Sequence, residues 1–327
     1  MTSYSNCSNG SRFPESGPSG LGLRVMAVKE AKKSDRPALP ADLMRRVRRI
    51  EIATNRLVDQ GVAGDYHSVF KGRGVEFAEV RPYQPGDDIR IIDWNVTARM
   101  GATFVKQYVE ERDLTIFLIV DVSGSLNFGS HAILKRELTA EISALLSFAA
   151  LRNNDRVGAA LVTDGLDLFL SPQRRRNHVL RLVREVLSWP AEGGTNLDTA
   201  VSAVLQTLKR RSVLFLISDF VETPFQAAIK AASARHDLIV IEIQDPIDNH
   251  PPAGPPVVLK DSETGRVAVV GGKSWRRHYI ARREEQRQEL EQLTRSLGVD
   301  HLALRTDRPY LSPLVSFFNR RKRRLQR

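Results

Sequence analysis

The sequence has few cysteines, few histidines and no long apolar runs, and each shortage closes a route. Cys7 is the only cysteine among 327 residues, so no intramolecular disulfide can form and a reducing compartment fits. No apolar stretch approaches the roughly 18 residues that a membrane span needs. No basic-then-apolar leader opens the chain, and the expected location is the cytoplasm. The seven histidines show no zinc-type spacing. No internal repeat suggests a solenoid or propeller.

Basic residues exceed acidic ones, giving a net charge of +11. The excess sits at the two ends of the chain. Residues 1–50 hold 10 Lys/Arg against 4 Asp/Glu, and residues 320–327 hold 6 basic residues and no acidic one. The span 51–319 has 33 basic and 34 acidic residues. A nucleic-acid-binding domain would show a basic face with aromatic platforms, so nucleic acid is not the expected partner. Weak contact of the basic ends with an anionic surface stays open.

The most informative stretch is residues 114–125, Leu-Thr-Ile-Phe-Leu-Ile-Val-Asp-Val-Ser-Gly-Ser. Its apolar run lacks polar alternation and reads as a strand buried on both faces, as inside a parallel sheet. The run stops at Asp121, and Ser123 and Ser125 follow. Ligands bind beyond the carboxyl ends of strands in open α/β sheets. A carboxylate and two hydroxyls within five residues are hard oxygen donors suited to Mg²⁺ or Mn²⁺. Residues 213–220, Val-Leu-Phe-Leu-Ile-Ser-Asp-Phe, repeat the device and deliver Asp219 to the same edge. Between them, Gly-Gly-Thr-Asn-Leu-Asp-Thr-Ala presents Thr195 just before a helical pattern. Asp164 precedes Thr195 and sits in an Asp-Gly hairpin signal, so it is not expected in this set.

Asp121, Ser123, Ser125, Thr195 and Asp219, in that order, resemble the metal-ion-dependent adhesion site of von Willebrand factor type A domains. That resemblance implies that Ser123 and Ser125 touch the metal. It implies that Thr195, Asp121 and Asp219 reach it directly or through water, and that one position stays open for a partner's acidic group. The expected fold is α/β, von Willebrand factor type A-like (Rossmann-like). A mostly parallel sheet flanked by helices would follow an initial helix and a small β-rich region.

In chain order, residues 1–37 are rich in Ser, Gly and Pro and read as a disordered tail. Residues 38–113 form the next unit. A helix from Pro40 to about Gln60 has its apolar stripe on Leu43, Val47, Ile50, Leu57 and Val58, with Arg45, Arg46, Arg48 and Arg49 on a solvated face. A Gly-punctuated, strand-like region follows, where Asp87, Asp88 and Asp93 alternate with Arg81, Arg90 and Arg99. The expected role of this cluster is structural, a buried or half-buried Arg–carboxylate lattice. Residues 114–310 alternate strands and helices. They include helices over 131–152 and 176–188, a hairpin at Asp164-Gly165, and a long charged helix over 275–297. Residues 311–327 form an amphipathic basic segment. Leu311, Leu314, Val315 and Phe318 are expected to pack on the body while the basic end stays exposed.

The region before the buried strand makes a second resemblance specific. Gly74, Glu76, Phe77, Arg81, Tyr83, Gly86, Asp87, Asp88, Arg90, Ile92, Asp93, Trp94, Ala98 and Arg99 match the pattern of the bacterial "domain of unknown function 58" family. The similarity runs over about residues 60–310. It implies a cytosolic protein that often accompanies MoxR-type AAA+ ATPases, as an adaptor or co-chaperone.

Enzyme signatures are incomplete. Gly272-Lys273-Ser274 looks like the end of a phosphate-binding loop, but Val267 stands where that motif needs glycine. An aspartyl-nucleophile phosphatase needs a second Asp where Ser123 stands. Ser123-Gly124-Ser125 lacks the Gly-x-Ser-x-Gly frame of a nucleophile elbow. The expected function is therefore a metal-dependent protein-binding module and not an enzyme. The alternative is a metal-dependent hydrolase using Asp121 and Asp219.

Overall fold

The computed structural model describes residues 41–59, 64, 66, 69, 75–110, 114–131, 133–190, 194–221, 224–251, 257–260 and 267–325. The expected disordered tail, together with Gly74, Glu111, Arg112 and Gly193, lies outside them. The first element, α1 (Ala41–Leu57), buries Val47, Ile50 and Thr54. The Thr54 hydroxyl donates back to the Ile50 carbonyl at 2.7 Å, so a polar residue on the buried face is satisfied within the helix. Arg45, Arg46, Arg48 and Arg49 face water.

A two-stranded antiparallel ribbon follows, β1 (Val75–Pro82) with β2 (Phe104–Glu110). Its connection holds a 3₁₀ turn at Ile89–Ile91 and α2 (Trp94–Met100). Of the expected Arg–carboxylate lattice, the described residues show one bidentate pair, Arg81 with Asp87 at 2.7 and 2.8 Å. Asp88 and Asp93 also serve the backbone. Asp88 accepts from the Arg90 N–H at 2.9 Å, and Asp93 accepts from the N–H groups of Asn95 and Val96 at 3.0 and 3.2 Å. These are caps, which use a carboxylate as a local acceptor and leave the nearby guanidinium in water. Gly101 ends α2 at φ +67°, a left-handed position that favours glycine.

The body is one six-stranded sheet. Along the chain its elements are β3 (Thr115–Asp121), α3 (Lys135–Arg152), β4 (Arg156–Val162), β5 (Leu166–Gln173), α4 (Arg176–Ser188), α5 (Leu197–Thr207), β6 (Val213–Ser218), α6 (Gln226–Arg235) and β7 (Asp237–Gln244). A helical turn α7 (Pro246–Asn249), a hairpin of β8 (Val257–Lys260) and β9 (Val267–Val270), α8 (Gly272–Ser296), β10 (Asp300–Arg305) and α9 (Leu311–Leu325) complete it. Every sheet pairing is parallel except β4 with β5, which the Asp164-Gly165 turn reverses. The first helix of this body starts at Lys135 and not at 131, because the Glu137 carboxylate accepts from the Leu134 N–H at 3.1 Å and caps it there.

Strand alternation divides the core in two. Ile116, Leu118 and Val120 of β3 join Val213, Phe215 and Ile217 of β6 against α1, α3, α4 and α9. Phe117 and Ile119, with Leu214 and Leu216, face α5, α6 and α8. Both faces are covered, which is why the strands carry uninterrupted apolar runs. Tyr66, fully buried, donates its hydroxyl to Asp155 at 3.0 Å and meets Phe318 edge-on at 6.3 Å. One side chain thus links the start of β4 to the last helix. No described helix is long and apolar enough to cross a membrane.

Candidate metal centre

Numbered within the sheet, β3, β4, β5, β6, β7 and β10 are strands one to six, so their spatial order is 6-5-4-1-2-3. The chain reverses direction of travel between β3 and β6, and a crevice opens beyond their carboxyl ends at such a switch point. Asp121 is the last residue of β3, and Asp219 directly follows β6. Both are buried, at 1% and 2% exposure.

Asp121 Oδ1 accepts from the Ser123 N–H at 2.9 Å, and Oδ2 accepts from the Ser218 hydroxyl at 2.6 Å. Burial and then the neighbouring Asp219 charge push its pKa up to about 7, against those hydrogen bonds. Ser123 and Ser125 hold their hydroxyl oxygens 3.1 Å apart, and Ser125 lies beside Asp219. Arg136 fixes this loop from beneath. Its guanidinium donates to the Val122 carbonyl at 3.0 Å and to the Trp189 carbonyl at 2.6 Å. Thr195 is half-buried on the loop before α5. That loop is tied to the end of β4 by the Asn196 N–H donating to the Thr163 carbonyl at 3.0 Å. Asp164 stays in the β4–β5 turn, where Thr163 bonds Asp167 at 2.8 Å.

Two residues that the sequence reading missed enter the site. Lys135, 1% exposed, places Nζ 2.8 Å from Asp219 Oδ2 and 2.9 Å from Asp248 Oδ2. Burial works against the ammonium, but the two carboxylates outweigh it and raise its pKa. Burial likewise opposes ionisation of Asp219, but Lys135 and Ser125 overcome it and hold that carboxylate below its usual range. Asp248 shares the same ammonium, yet burial and the Asp219 charge leave it raised. A signal for Lys135 was present: it lies three residues before Leu138 on the stripe continued by Ile142 and Leu145. A charge on an apolar stripe must find a partner. For Asp248, Asp-Pro-x-Asp is a capping box, with Asp245 accepting from the Ile247 N–H at 3.0 Å.

Among the described residues no group of three or more His, Cys, Asp or Glu could hold a metal by itself. A cation here would therefore rely on hydroxyls. Two adjacent ligands of an octahedral Mg²⁺ stand about 3.0 Å apart when each bond is about 2.1 Å. The 3.1 Å between Ser123 Oγ and Ser125 Oγ fits that edge. The buried Asp121 fits as the anionic donor.

Comparison with known proteins bears on the family. A family model described as "Protein of unknown function DUF58" matches residues 79–289. An uncharacterized protein of Mycobacterium tuberculosis is 35% identical over 295 residues, covering 88% of this chain and 92% of the relative. The uncharacterized protein YeaD of Bacillus subtilis is 29% identical over 110 residues, 33% of this chain and 25% of the relative. Among solved structures, BatB from Bacteroides thetaiotaomicron aligns with a TM-score of 0.41 and 14% identity over 64% of this chain and 99% of that one. The SpRpn10 VWA domain aligns with a TM-score of 0.36 and 13% identity over 62% and 93%.

Proposed function

The chain belongs to the family described as "protein of unknown function DUF58", and from its von Willebrand factor type A-like fold we propose that it is a metal-dependent protein-binding module. In this reading Asp121, Ser123, Ser125, Thr195 and Asp219 hold one Mg²⁺ or Mn²⁺ at the sheet edge. The metal supplies an electrophilic seat for a carboxylate from a partner. The observation that carries the reading is the pair of hydroxyls 3.1 Å apart beside the buried Asp121.

This chain's own residues prepare that seat. Arg136 holds the Ser123–Ser125 loop by its carbonyls, so the hydroxyls are positioned before anything binds. Lys135 offsets the charge of Asp219 and Asp248, while Asp121 makes no salt bridge among the described residues. The family resemblance suggests the partner, a cytosolic MoxR-type AAA+ ATPase for which this protein acts as adaptor or co-chaperone. The Asp87–Arg90–Asp93 region would serve as the scaffold that holds the first domain in place.

The second reading, a metal-dependent hydrolase using Asp121 and Asp219, draws on the same Asp121, which is poised near neutral pH as a general base would be. The Lys135 bridge to Asp219 Oδ2 bears on both readings alike.

The test has two arms. Calorimetry should show Mg²⁺ binding to wild type and none to Asp121→Ala. A pull-down from native lysate should recover an AAA+ ATPase with wild type, less with Thr195→Ala, and none with chelator. Equal recovery in all three would exclude the metal-mediated mechanism. Hydrolase activity that disappears in Asp219→Ala, with no ATPase recovered, would support the second reading.

A further inference from the structure

A second site lies at the opposite edge of the sheet, where β6 and β7 begin. A cleft of about 540 Å³ is lined there by Leu205, Leu208, Lys209, Arg211, Arg235 and His236. Its size falls within the range of small-molecule sites. His236 is 95% buried, since only 5% of its surface is exposed. The Ser212 N–H donates to His236 Nδ1 at 3.3 Å, so that nitrogen keeps its lone pair and the neutral ring carries its proton on Nε2. Nε2 is buried and has no hydrogen-bond partner among the described residues. The ring lines the cleft and carries a buried, unanswered N–H donor.

The charges around it are all of one sign. Lys209, Arg211 and Arg235 are exposed, and none forms an ion pair among the described residues. The nearest acid in sequence, Asp237, is committed to Arg321. Cations commonly sit at helix C-termini to offset the macrodipole, and α5 and α6 both end here. Each terminus carries only about half a negative charge, so three cations leave a positive surplus. Burial, and then the charges of Arg235 and Arg211, hold the His236 pKa below the ordinary histidine value.

We propose that this cleft binds a phosphate-bearing anion, with His236 Nε2–H as its buried donor and Arg211, Arg235 and Lys209 as counter-charges. Guanidinium forks pair bidentately with phosphate oxygens, and a multiply charged anion matches three cations better than one carboxylate does. Leu205 and Leu208 give an apolar wall for the rest of a phosphate ester. The site is independent of the metal centre, from which the length of the strands separates it.

The experiment is NMR on the full chain, titrated with inorganic pyrophosphate and, in a separate arm, with vesicles containing phosphatidic acid. Wild type should show a saturable one-to-one shift of the His236 Nε2 signal and a rise in the pH at which His236 protonates. The Arg211→Gln/Arg235→Gln variant alters only exposed side chains, and its affinity should drop about tenfold or more. Response to pyrophosphate assigns a free phosphate ligand, and response to vesicles alone assigns a lipid headgroup. Absence of a saturable His236 shift in both arms, or equal affinity in the double variant, overturns the proposal.

Discussion

Lys135 Nζ lies 2.8 Å from Asp219 Oδ2, and both side chains are 2% exposed. The candidate metal centre thus contains its own fixed cation, which also reaches Asp248 at 2.9 Å. Removing one member of a buried, hydrogen-bonded ion pair leaves the other charge without compensation.

The first prediction follows from that bridge. Lys135→Met should cost about 3–5 kcal/mol of stability in metal-free buffer. Added Mg²⁺ should restore part of the loss, because a divalent cation can compensate the same carboxylates. Chemical denaturation of wild type and variant, with and without Mg²⁺, measures both effects. A metal-independent loss would separate the lysine from the metal reading.

A second prediction concerns the basic tail, expected to be exposed at its end. The structure corrects this for Arg321, which is 4% exposed and pairs with Asp237 and Asp300. Arg324 joins Asp300 at 2.7 Å. Arg321→Ala should therefore destabilise the fold by about 3 kcal/mol, while Arg320→Ala and Arg323→Ala should stay within about 0.5 kcal/mol of wild type. Thermal melts of the three variants decide it. Deletion of residues 320–327 should behave like Arg321→Ala and not like a harmless trimming.

The third prediction concerns pH. His178 and His236 are both held below the ordinary histidine value, mainly by burial, with Arg181 beside the first and Arg235 and Arg211 beside the second. The unfolded chain therefore takes up protons near pH 6.5 that the folded chain refuses. Their stabilising contribution is complete above about pH 6.5 and is lost as pH falls from there towards their lowered folded values. Asp121 acts in the opposite sense, because its pKa is raised to about 7. Its term is common to wild type and to a His178→Gln/His236→Gln variant, so the difference between them isolates the histidines. In phosphate-free buffer, wild type should lose more stability than the variant between about pH 7.5 and about pH 5.5. Parallel pH profiles would refute the assignment.

Much of the fold could be read from the chain because its signals are local. Two uninterrupted apolar runs marked β3 and β6 as strands covered on both sides, and Asp-Gly marked the turn into the antiparallel edge. The helix from Arg176 to Ser188 declared itself by its period, because a stripe facing a core is written every three to four residues. The placement of Asp121 and Asp219 at one edge also followed, since parallel strands joined by crossovers share their carboxyl ends.

Pairing between distant side chains was decided only by tertiary packing. Lys135 is 84 residues from Asp219 and 113 from Asp248 in sequence. Arg321 is likewise far from Asp237 and Asp300 along the chain, and His236 finds its cleft only once α5 and α6 end side by side. Nothing in the order of residues says which acid a buried lysine will meet, because long-range charge pairs depend on how helices seat across a twisted sheet. The Arg–carboxylate run of residues 81–99 shows the converse. Close in sequence, Asp88 and Asp93 took the backbone N–H groups nearest to them, which a short turn supplies readily, while Asp87 met the guanidinium fork of Arg81.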